Sequence, residues 1–395
     1  MGSRKLPQVA LLWSQYAAYH VDRCAAVSRR LAGKAEVIAV EVAATSRTYA
    51  WEVAKETRCC EKQILFPDTD FELIPRPKRL MAMIRALRHC RMVFVGIGYN
   101  EPDVIIAAWV LRLLGVRVVM MTDSKFDDKQ RSASFELFKR MLLSAFTAAI
   151  VGGGARHMAY ARYLGFRSRK VLPGYDTVGL ERIRAEARQP LAPLGTAYAD
   201  RHFIYVGRFV EKKNLIRLIE GYALYAAQAG PTARKLRMVG SGPLEQDMRG
   251  QISRLGLEEK VEILGFRPSE EVSRLLAESL VLVLISKVEQ WGLVINEALA
   301  VGLPVIVSHQ VGSRDVLVRN LVNGFTIAHN EAAALCAAML ELGRDEPAWR
   351  AMVAGSHGRA WLGDTERFAD AVEVLFDPSA ETAASRIRAY LAELS

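Results

Sequence analysis

Residues 280–308 read "LVLVLISKVEQWGLVINEALAVGLPVIVS". A β-branched apolar run (280–286) is followed by a short polar loop, a helical pattern and a second apolar run after Pro304. That order is the pattern of a parallel βαβ unit. Both runs are apolar throughout rather than alternating, which predicts a sheet covered on its two faces. Gly292 follows Trp291 and is a poor helix-interior residue. The helix is therefore expected to begin near Gly292, to run through "LVINEALAVG", and to stop at Gly302. Glu289 then lies in the loop after the strand. Glu297 lies about one and a half turns into the helix.

The same alternation extends in both directions. The first half has strand-like runs at 9–13, 36–42, 91–98, 116–122 and 148–153, with amphipathic stretches such as 20–33, 76–89 and 130–146 between them. The second half has runs at 203–208, 236–242, 261–266, 280–286 and 303–308. Each half holds enough strands for its own Rossmann-like, doubly wound parallel sheet. The polar segment 181–202, with two prolines, is the expected boundary, giving domains at 1–180 and 181–364. Two helical stretches, 365–376 and 381–394, are expected to return to the first domain.

The chain has 395 residues and a net charge of +10. Residues 1–180 carry 28 Lys and Arg against 16 Asp and Glu, whereas the remainder carries 25 against 27. A basic half joined to a near-neutral half points to an anionic partner on one side: a membrane surface, an anionic substrate or nucleic acid. No apolar run is long enough to span a bilayer, and "MGSRKLPQVALLWSQ" lacks a signal-peptide pattern. The five cysteines show no metal spacing, and the vicinal pair Cys59–Cys60 reads as structural. A reducing cytoplasm is the expected compartment.

The loop and helix start around Glu289 carry chemical meaning. The end of a parallel strand opens toward the crevice where ligands bind. A helix N-terminus offers unpaired N–H groups to a phosphate. Glu289 and Glu297 beside it fit two descriptions: acceptors for sugar hydroxyls and a ribose diol, or an exposed terminal charge and a solvated helix face. A second loop, in "YVGRFVEKKNLIRLIEGY" (205–222), places Arg208 and the Lys212–Lys213 pair between a strand end at Gly207 and a helix start. Cations there oppose the helix dipole, and a bound diphosphate would offset this. A solvated basic turn is the other description.

The motifs "GRFVEKKN" (207–214), "VGSGPLE" (239–245) and "EQWGLVINEALAVGLPVIVS" (289–308) together resemble the donor-binding domain of family 4 glycosyltransferases with the GT-B fold. The Glu-x7-Glu spacing is the most specific mark. The likeness is strong over about 200–330 and weaker in "YNEPDVIIAAWVLRLLGVRVVMMTDS" (99–124) and "LPGYDTVGL" (172–180). The resemblance implies two Rossmann-like domains facing across a cleft, the first for the acceptor and the second for the donor. It implies retaining transfer of a sugar from a UDP- or GDP-sugar to a glycan, lipid-linked or small-molecule acceptor, with no metal and no cofactor. It implies that Arg208 and Lys213 neutralise the leaving diphosphate, that Glu289 meets the donor sugar, and that Glu297 meets the ribose. Gly207, Gly292 and the amides of Leu293 and Val294 would complete the phosphate cradle. Bacterial polysaccharide or glycoconjugate synthesis is the implied setting, in the cytoplasm or on the inner face of the cytoplasmic membrane.

The chain departs from that pattern in its first half. The loop "WSQYAAYHVDR" (13–23) has no glycine, and "MMTDSKFDDK" (120–129) has Asp123 and Ser124 where many family members place a histidine. Asp123 and His20 are the candidates for the acceptor or donor-sugar side. Asp123 equally suits a helix cap, and His20 a structural role. "DTD" (68–70) reads as a polar turn rather than a metal site. "RPKRLMAMIRALRHCR" (76–91) is a basic amphipathic stretch, with Leu80, Ile84 and Leu87 on one face. It suits either an anionic membrane surface or an ordinary sheet-covering helix. The competing functions are a GT-B sugar-nucleotide epimerase or phosphorylase, and a non-catalytic basic module for membranes or nucleic acid. The Glu-x7-Glu spacing argues against the first. The lack of interleaved aromatics argues against nucleic acid in the second.

Overall fold

The computed structural model describes residues 6–47 and 60–394; Cys59 of the vicinal pair lies outside them. In chain order the elements are β1 (Gln8–Trp13), α1 (Ala18–Arg30), β2 (Glu36–Thr45), β3 (Glu61–Asp70), α2 (Arg76–Leu87), β4 (Met92–Val95), α3 (Pro102–Leu113), β5 (Arg117–Thr122), α4 (Ala133–Leu143), β6 (Ala148–Val151), α5 (Ala155–Tyr163) and β7 (Val171–Leu172). There follow α6 (Leu180–Ala187), β8 (Phe203–Val206), α7 (Leu215–Ala229), β9 (Leu236–Val239), α8 (Glu245–Arg254), β10 (Val261–Gly265), α9 (Ser269–Glu278), β11 (Val281–Leu284), α10 (Leu293–Ala300), β12 (Val305–Ser308), α11 (Arg314–Leu317), β13 (Gly324–Ile327), α12 (Ala332–Arg344), α13 (Glu346–Arg359), α14 (Thr365–Phe376) and α15 (Glu381–Ala392). The described chain forms two compact units, Met1–Gly179 with Thr365–Leu394, and Leu180–Asp364.

The first unit is a seven-stranded sheet of order β3-β2-β1-β4-β5-β6-β7, parallel at every pairing. One face carries a core shared with α2, α3, α4 and α5. The other carries a core with α1, α14 and α15, including Phe368, Val372 and Ile387. The end of α1 and the turn after it hold α14 by charge: Arg30 pairs with Glu366, Asp370 and Glu373, and Lys34 Nζ lies 2.9 Å from Glu373. Arg386 of α15 reaches the same Asp370 at 2.7 Å.

The structure gives α2, the "DTD" segment and residues 181–202 definite places. The apolar face of α2 packs inward: Met83 and Leu87 are buried, and Leu80 and Ile84 lie against them. Even its Arg79 is buried, forked onto Asp103 by two bonds of 2.9 Å. The "DTD" segment is no turn, because β3 runs through it beside β2. Its Asp70 accepts from Thr45 at 2.5 Å and from Arg47 at 3.0 Å. Among the described residues no cluster of His, Cys, Asp and Glu could hold a metal. Finally, 181–202 is structured from its start, since α6 buries Leu180, Ile183 and Ala187.

The second unit is a six-stranded sheet of order β10-β9-β8-β11-β12-β13, again parallel throughout. Every residue of β11 and β12 is buried, which accounts for their unbroken apolar runs. Strand order reverses at β8, which lies between β9 and β11. Ligands of open α/β sheets bind outside the carboxyl ends of the strands at such a reversal. The loops after β8 and β11 are the ones that carry Arg208, Lys213 and Glu289.

Candidate functional site

The loop after β8 lies directly on the loop after β9. Gly207 N–H donates to Val239 O at 3.0 Å, and Phe209 N–H donates to Ser241 O at 2.8 Å. The approach leaves no space for a side chain. A Cβ on Gly240 would fall 1.9 Å from the Gly207 carbonyl oxygen, and one on Gly242 would fall 2.5 Å from that of Phe209. These contacts are why "VGSGPLE" needs its two glycines. Gly240→Ala is expected to destabilise the second unit by about 1–3 kcal/mol, the usual range for overpacking. Urea unfolding of the variant against the parent checks this; equal stability would mean that the two loops part freely.

From Gly207 the chain makes a single tight turn, Glu211–Lys213, into α7. Asn214 sits between turn and helix in the left-handed region, at φ 63°. Its Nδ2 donates to Ile285 O at 3.1 Å and to His329 O at 2.6 Å, fastening the turn to the end of β11. The loop after β11 ties back in turn, with Lys287 N–H donating to Lys212 O at 2.8 Å. This lacing brings Lys213 to Glu289. Lys213 Nζ donates to Glu289 Oε2, and Ser286 Oγ donates to the same oxygen at 3.1 Å. Glu289 is 9% exposed, so the carboxylate is largely withdrawn from water but not sealed.

Beneath them Tyr205 is wholly buried, and its hydroxyl donates to Arg208 O at 3.0 Å. Burial, then the nearby Glu289 carboxylate, holds the Tyr205 phenol far above its usual range, with Arg208 opposing. The Arg208 side chain itself is exposed and makes no hydrogen bond or ion pair among the described residues. One cation is thus paired to a carboxylate and a neighbouring one is unengaged.

α10 opens beside this pair. Its cap, Gly292, has φ 95°, and a Cβ there would lie 3.0 Å from Leu284 Cδ2 and 3.4 Å from Glu289 Cγ. The N–H groups of Leu293 and Val294 have no acceptor among the described residues, as the first turn of a helix requires. Trp291 fixes the entry: its indole N–H donates to Asn296 Oδ1 at 2.9 Å, and its carbonyl accepts from Ser313 Oγ at 2.8 Å. Glu297 stands half-buried on the second turn. Gly207, Arg208, Lys213, Glu289 and the start of α10 therefore gather at one end of this sheet.

His20 and Asp123 belong to the first unit, at the carboxyl ends of its strands. His20 is 3% exposed, its ring centroid 4.6 Å from that of Trp13, and its Nδ1 accepts from Ala17 N–H at 2.9 Å. Trp13 Nε1 donates to Tyr175 Oη at 3.1 Å. Arg23 lies between the rings of Tyr19 and Tyr175, 4.9 Å from each, and 3.8 Å from Asp176. Burial, then the neighbouring Asp123 carboxylate, raises Asp176 well above the usual carboxylate range, with Arg23 opposing. The two candidates thus flank one buried aromatic and charged cluster.

Burial, with Arg23 adding to it, holds the His20 imidazole well below its ordinary value. The folded chain keeps this group neutral while the unfolded chain protonates it near pH 6.5, so acid favours unfolding. The stability of the first unit is therefore expected to fall as pH drops through the unfolded value. His20→Asn should flatten that acid limb. Urea midpoints at about pH 7 and about pH 5 measure it; identical slopes for parent and variant would refute the assignment.

Four residues that matter to this geometry were not legible in the sequence. Ser286 and Tyr205 are ordinary strand residues until the fold sets them behind Glu289. Arg23 and Asp176 are 153 positions apart and meet only because β1 and β7 belong to one sheet. Asn214 did carry a signal, as an Asn before a helix is a common cap.

Residues 193–357 match the family described as glycosyl transferases group 1. The amylovoran biosynthesis glycosyltransferase AmsK of Erwinia amylovora is 33% identical over 147 residues, 36% of this chain and 35% of its own length. The putative colanic acid biosynthesis glycosyltransferase WcaL of Salmonella typhimurium is 35% identical over 147 residues, 36% of each chain. The chain thus spans about a third of the length of these curated relatives. Among solved structures, Anabaena HepE in complex with UDP has a TM-score of 0.69 at 16% identity, covering 94% of this chain and 100% of its own. Sucrose-phosphate synthase of Thermosynechococcus elongatus has a TM-score of 0.67 at 20% identity, covering 94% and 98%. The two parallel-sheet units are those of the GT-B fold, and residues 193–357 of the second unit match the group 1 glycosyl transferase domain.

Proposed function

We propose that this chain transfers a sugar, with retention at the anomeric carbon, from a nucleoside-diphosphate sugar to a glycan or lipid-linked acceptor in bacterial polysaccharide synthesis. The observation that carries the reading is the convergence of an unengaged Arg208, the Lys213–Glu289 pair and the open first turn of α10. Glycosyl transfer passes through an oxocarbenium-like state while charge builds on the departing diphosphate. Fixed cations and helix N–H groups aimed at that charge are the main source of rate. Arg208, Lys213 and the amides of Leu293 and Val294 would receive the diphosphate, with Gly207 and Gly292 permitting its close approach. Glu289 would accept from the donor sugar and Glu297 from the ribose. With this charge supplied by side chains and backbone, no metal is called for. Asp123 and His20 are assigned to the acceptor or sugar side. The first unit is assigned to the acceptor and the second to the donor. The proposed location is the cytoplasm, at an anionic membrane where the acceptor is lipid-linked.

AmsK is an amylovoran biosynthesis glycosyltransferase and WcaL a putative colanic acid biosynthesis glycosyltransferase. Anabaena HepE has been solved with UDP-glucose, so uridine nucleotides come first in the test. UDP, or GDP in the same screen, is expected to raise the melting midpoint by mass action, with EDTA making no difference. Transfer from a labelled UDP- or GDP-sugar should preserve the anomeric configuration. The absence of both stabilisation and donor cleavage across a panel of nucleotide sugars would overturn the proposal.

A further inference from the structure

α4 is inside out. On a helix that covers a sheet, charged residues ordinarily face water and apolar ones face the core. Here Glu136 and Lys139 are buried at 1% and 7% exposure, whereas Leu137, Phe138 and Met141 stand out at 65%, 49% and 60%. The buried charges are satisfied: Lys139 Nζ donates to Glu136 Oε1 at 2.6 Å, and Tyr160 Oη donates to Glu136 Oε2 at 2.7 Å. The inversion is therefore held in place by a built network, and the apolar residues are outward as a consequence. Their spacing, i, i+1 and i+4, makes one continuous stripe.

The neighbouring helix, although its inner side is apolar, also turns apolar residues outward. α3 exposes Ile106, Trp109 and Leu113 at 49%, 38% and 82%. The two helices are tied at their carboxyl ends, where Arg112 donates to Ser144 O and, at 3.3 Å, to Ala145 O. Beside α4 a trough of about 680 Å³ opens between Leu137, Met141 and Phe166. Exposed apolar groups clustered in this way mark an interaction surface.

The charge around the stripe decides which partner. Residues 129–172 contain nine Lys and Arg and a single acid, Glu136, which is buried. Arg112, Arg140, Arg167 and Arg169 are exposed at its border. A second copy docked on itself here would set like charges against each other. A nucleic acid would leave the outward leucines and methionine without use. An apolar stripe rimmed by arginines instead matches an anionic bilayer, in which the apolar side chains enter the acyl boundary and the arginines meet phosphates.

We propose that the α3–α4 face of the first unit docks on anionic lipid headgroups. This deepens the membrane clause of the proposed function and places the contact on α4 rather than α2. It stands on the surface alone, so it is tested without substrate. Purified full-length protein is sedimented with vesicles of phosphatidylcholine, or of phosphatidylcholine with phosphatidylglycerol. Binding is expected with the anionic vesicles and should weaken as salt rises. L137Q/F138Q should lower the partition coefficient about tenfold or more, since each side chain contributes roughly a tenfold transfer preference. R140E/R169E should lower it by about fivefold per charge. R85A, on the exposed side of α2, should bind like the parent. All four substituted positions on the stripe and its border are exposed, and an unchanged melting midpoint with and without UDP shows that fold and nucleotide binding persist. Equal binding to neutral vesicles, unaltered binding by L137Q/F138Q, or concentration-dependent self-association abolished by that variant would each overturn the proposal. Loss of the UDP shift alone would count against the function and leave the docking surface untouched.

Discussion

Lys213→Ala and Arg208→Ala should each reduce kcat for sugar transfer by about 100- to 1000-fold, the usual consequence of removing one preorganised charge from a leaving group. Two further measurements give this result its meaning. Isothermal titration with the nucleoside diphosphate should show weakened binding in both variants, because both cations face phosphate. Glu289→Ala should lose a comparable factor in kcat while keeping its diphosphate affinity, because its carboxylate is assigned to the sugar. The geometry also predicts non-additivity. Lys213 Nζ and Glu289 Oε2 are hydrogen-bonded partners, so the double variant should cost less than the product of the single losses. In Lys213→Ala the carboxylate keeps, among the described residues, only the Ser286 bond at 3.1 Å, so part of that variant's loss is a misplaced Glu289. Lys213→Arg keeps the charge on a different fork and should recover some diphosphate affinity, but little kcat. Full transfer activity in Glu289→Ala would remove the residue from the site.

The contrast between what the chain displays and what it conceals follows from the range of each interaction. β11 and β12 are buried on both faces, so local composition alone announces them. Gly292 ends the preceding loop because only a residue without Cβ takes φ 95° against Leu284 and Glu289, and this too is local. The Lys213–Glu289 pair spans 76 positions, yet its members follow adjacent strands, and a parallel βα pattern makes that adjacency predictable. β3 hid because it is an edge strand, half-exposed and ending in acids. α4 hid for the opposite reason. Its 3.6-residue period is clear, but periodicity does not say which side is inward. The side was decided by Tyr160 and Arg131, which supply partners for Glu136 from outside the helix. The polar stretch 181–202 conceals something too, because one of its arginines is among the most buried residues.

That residue is Arg201, at 0% exposure, and Arg201→Met is expected to cost more stability than Gly240→Ala. Its guanidinium donates to four carbonyls: Thr196 O at 2.9 Å, Ala277 O at 2.8 Å, Ser279 O at 2.9 Å and Leu194 O at 2.7 Å. Thus one side chain staples the segment before β8 to the end of α9 and the start of β11. Trp349 adds an aromatic face with its centroid 5.0 Å from the guanidinium carbon. Burial, with Arg350 adding to it, brings the Arg201 pKa down to about 10, still charged at neutral pH. Methionine fills comparable volume but donates nothing, so several buried carbonyls lose their partners together. Each buried group left unsatisfied costs about 1–3 kcal/mol, and a loss of roughly 3–5 kcal/mol for the cluster is the expected sum after relaxation. Calorimetry should show the transition of residues 180–364 moved down, and UDP should restore part of the shift, since a ligand of the native state stabilises it by mass action. Arg201→Lys keeps a charge but reaches fewer carbonyls, so its transition should fall between the two. If Arg201→Met melts with the parent, the four carbonyls are satisfied by other means and the staple is not what orders this segment.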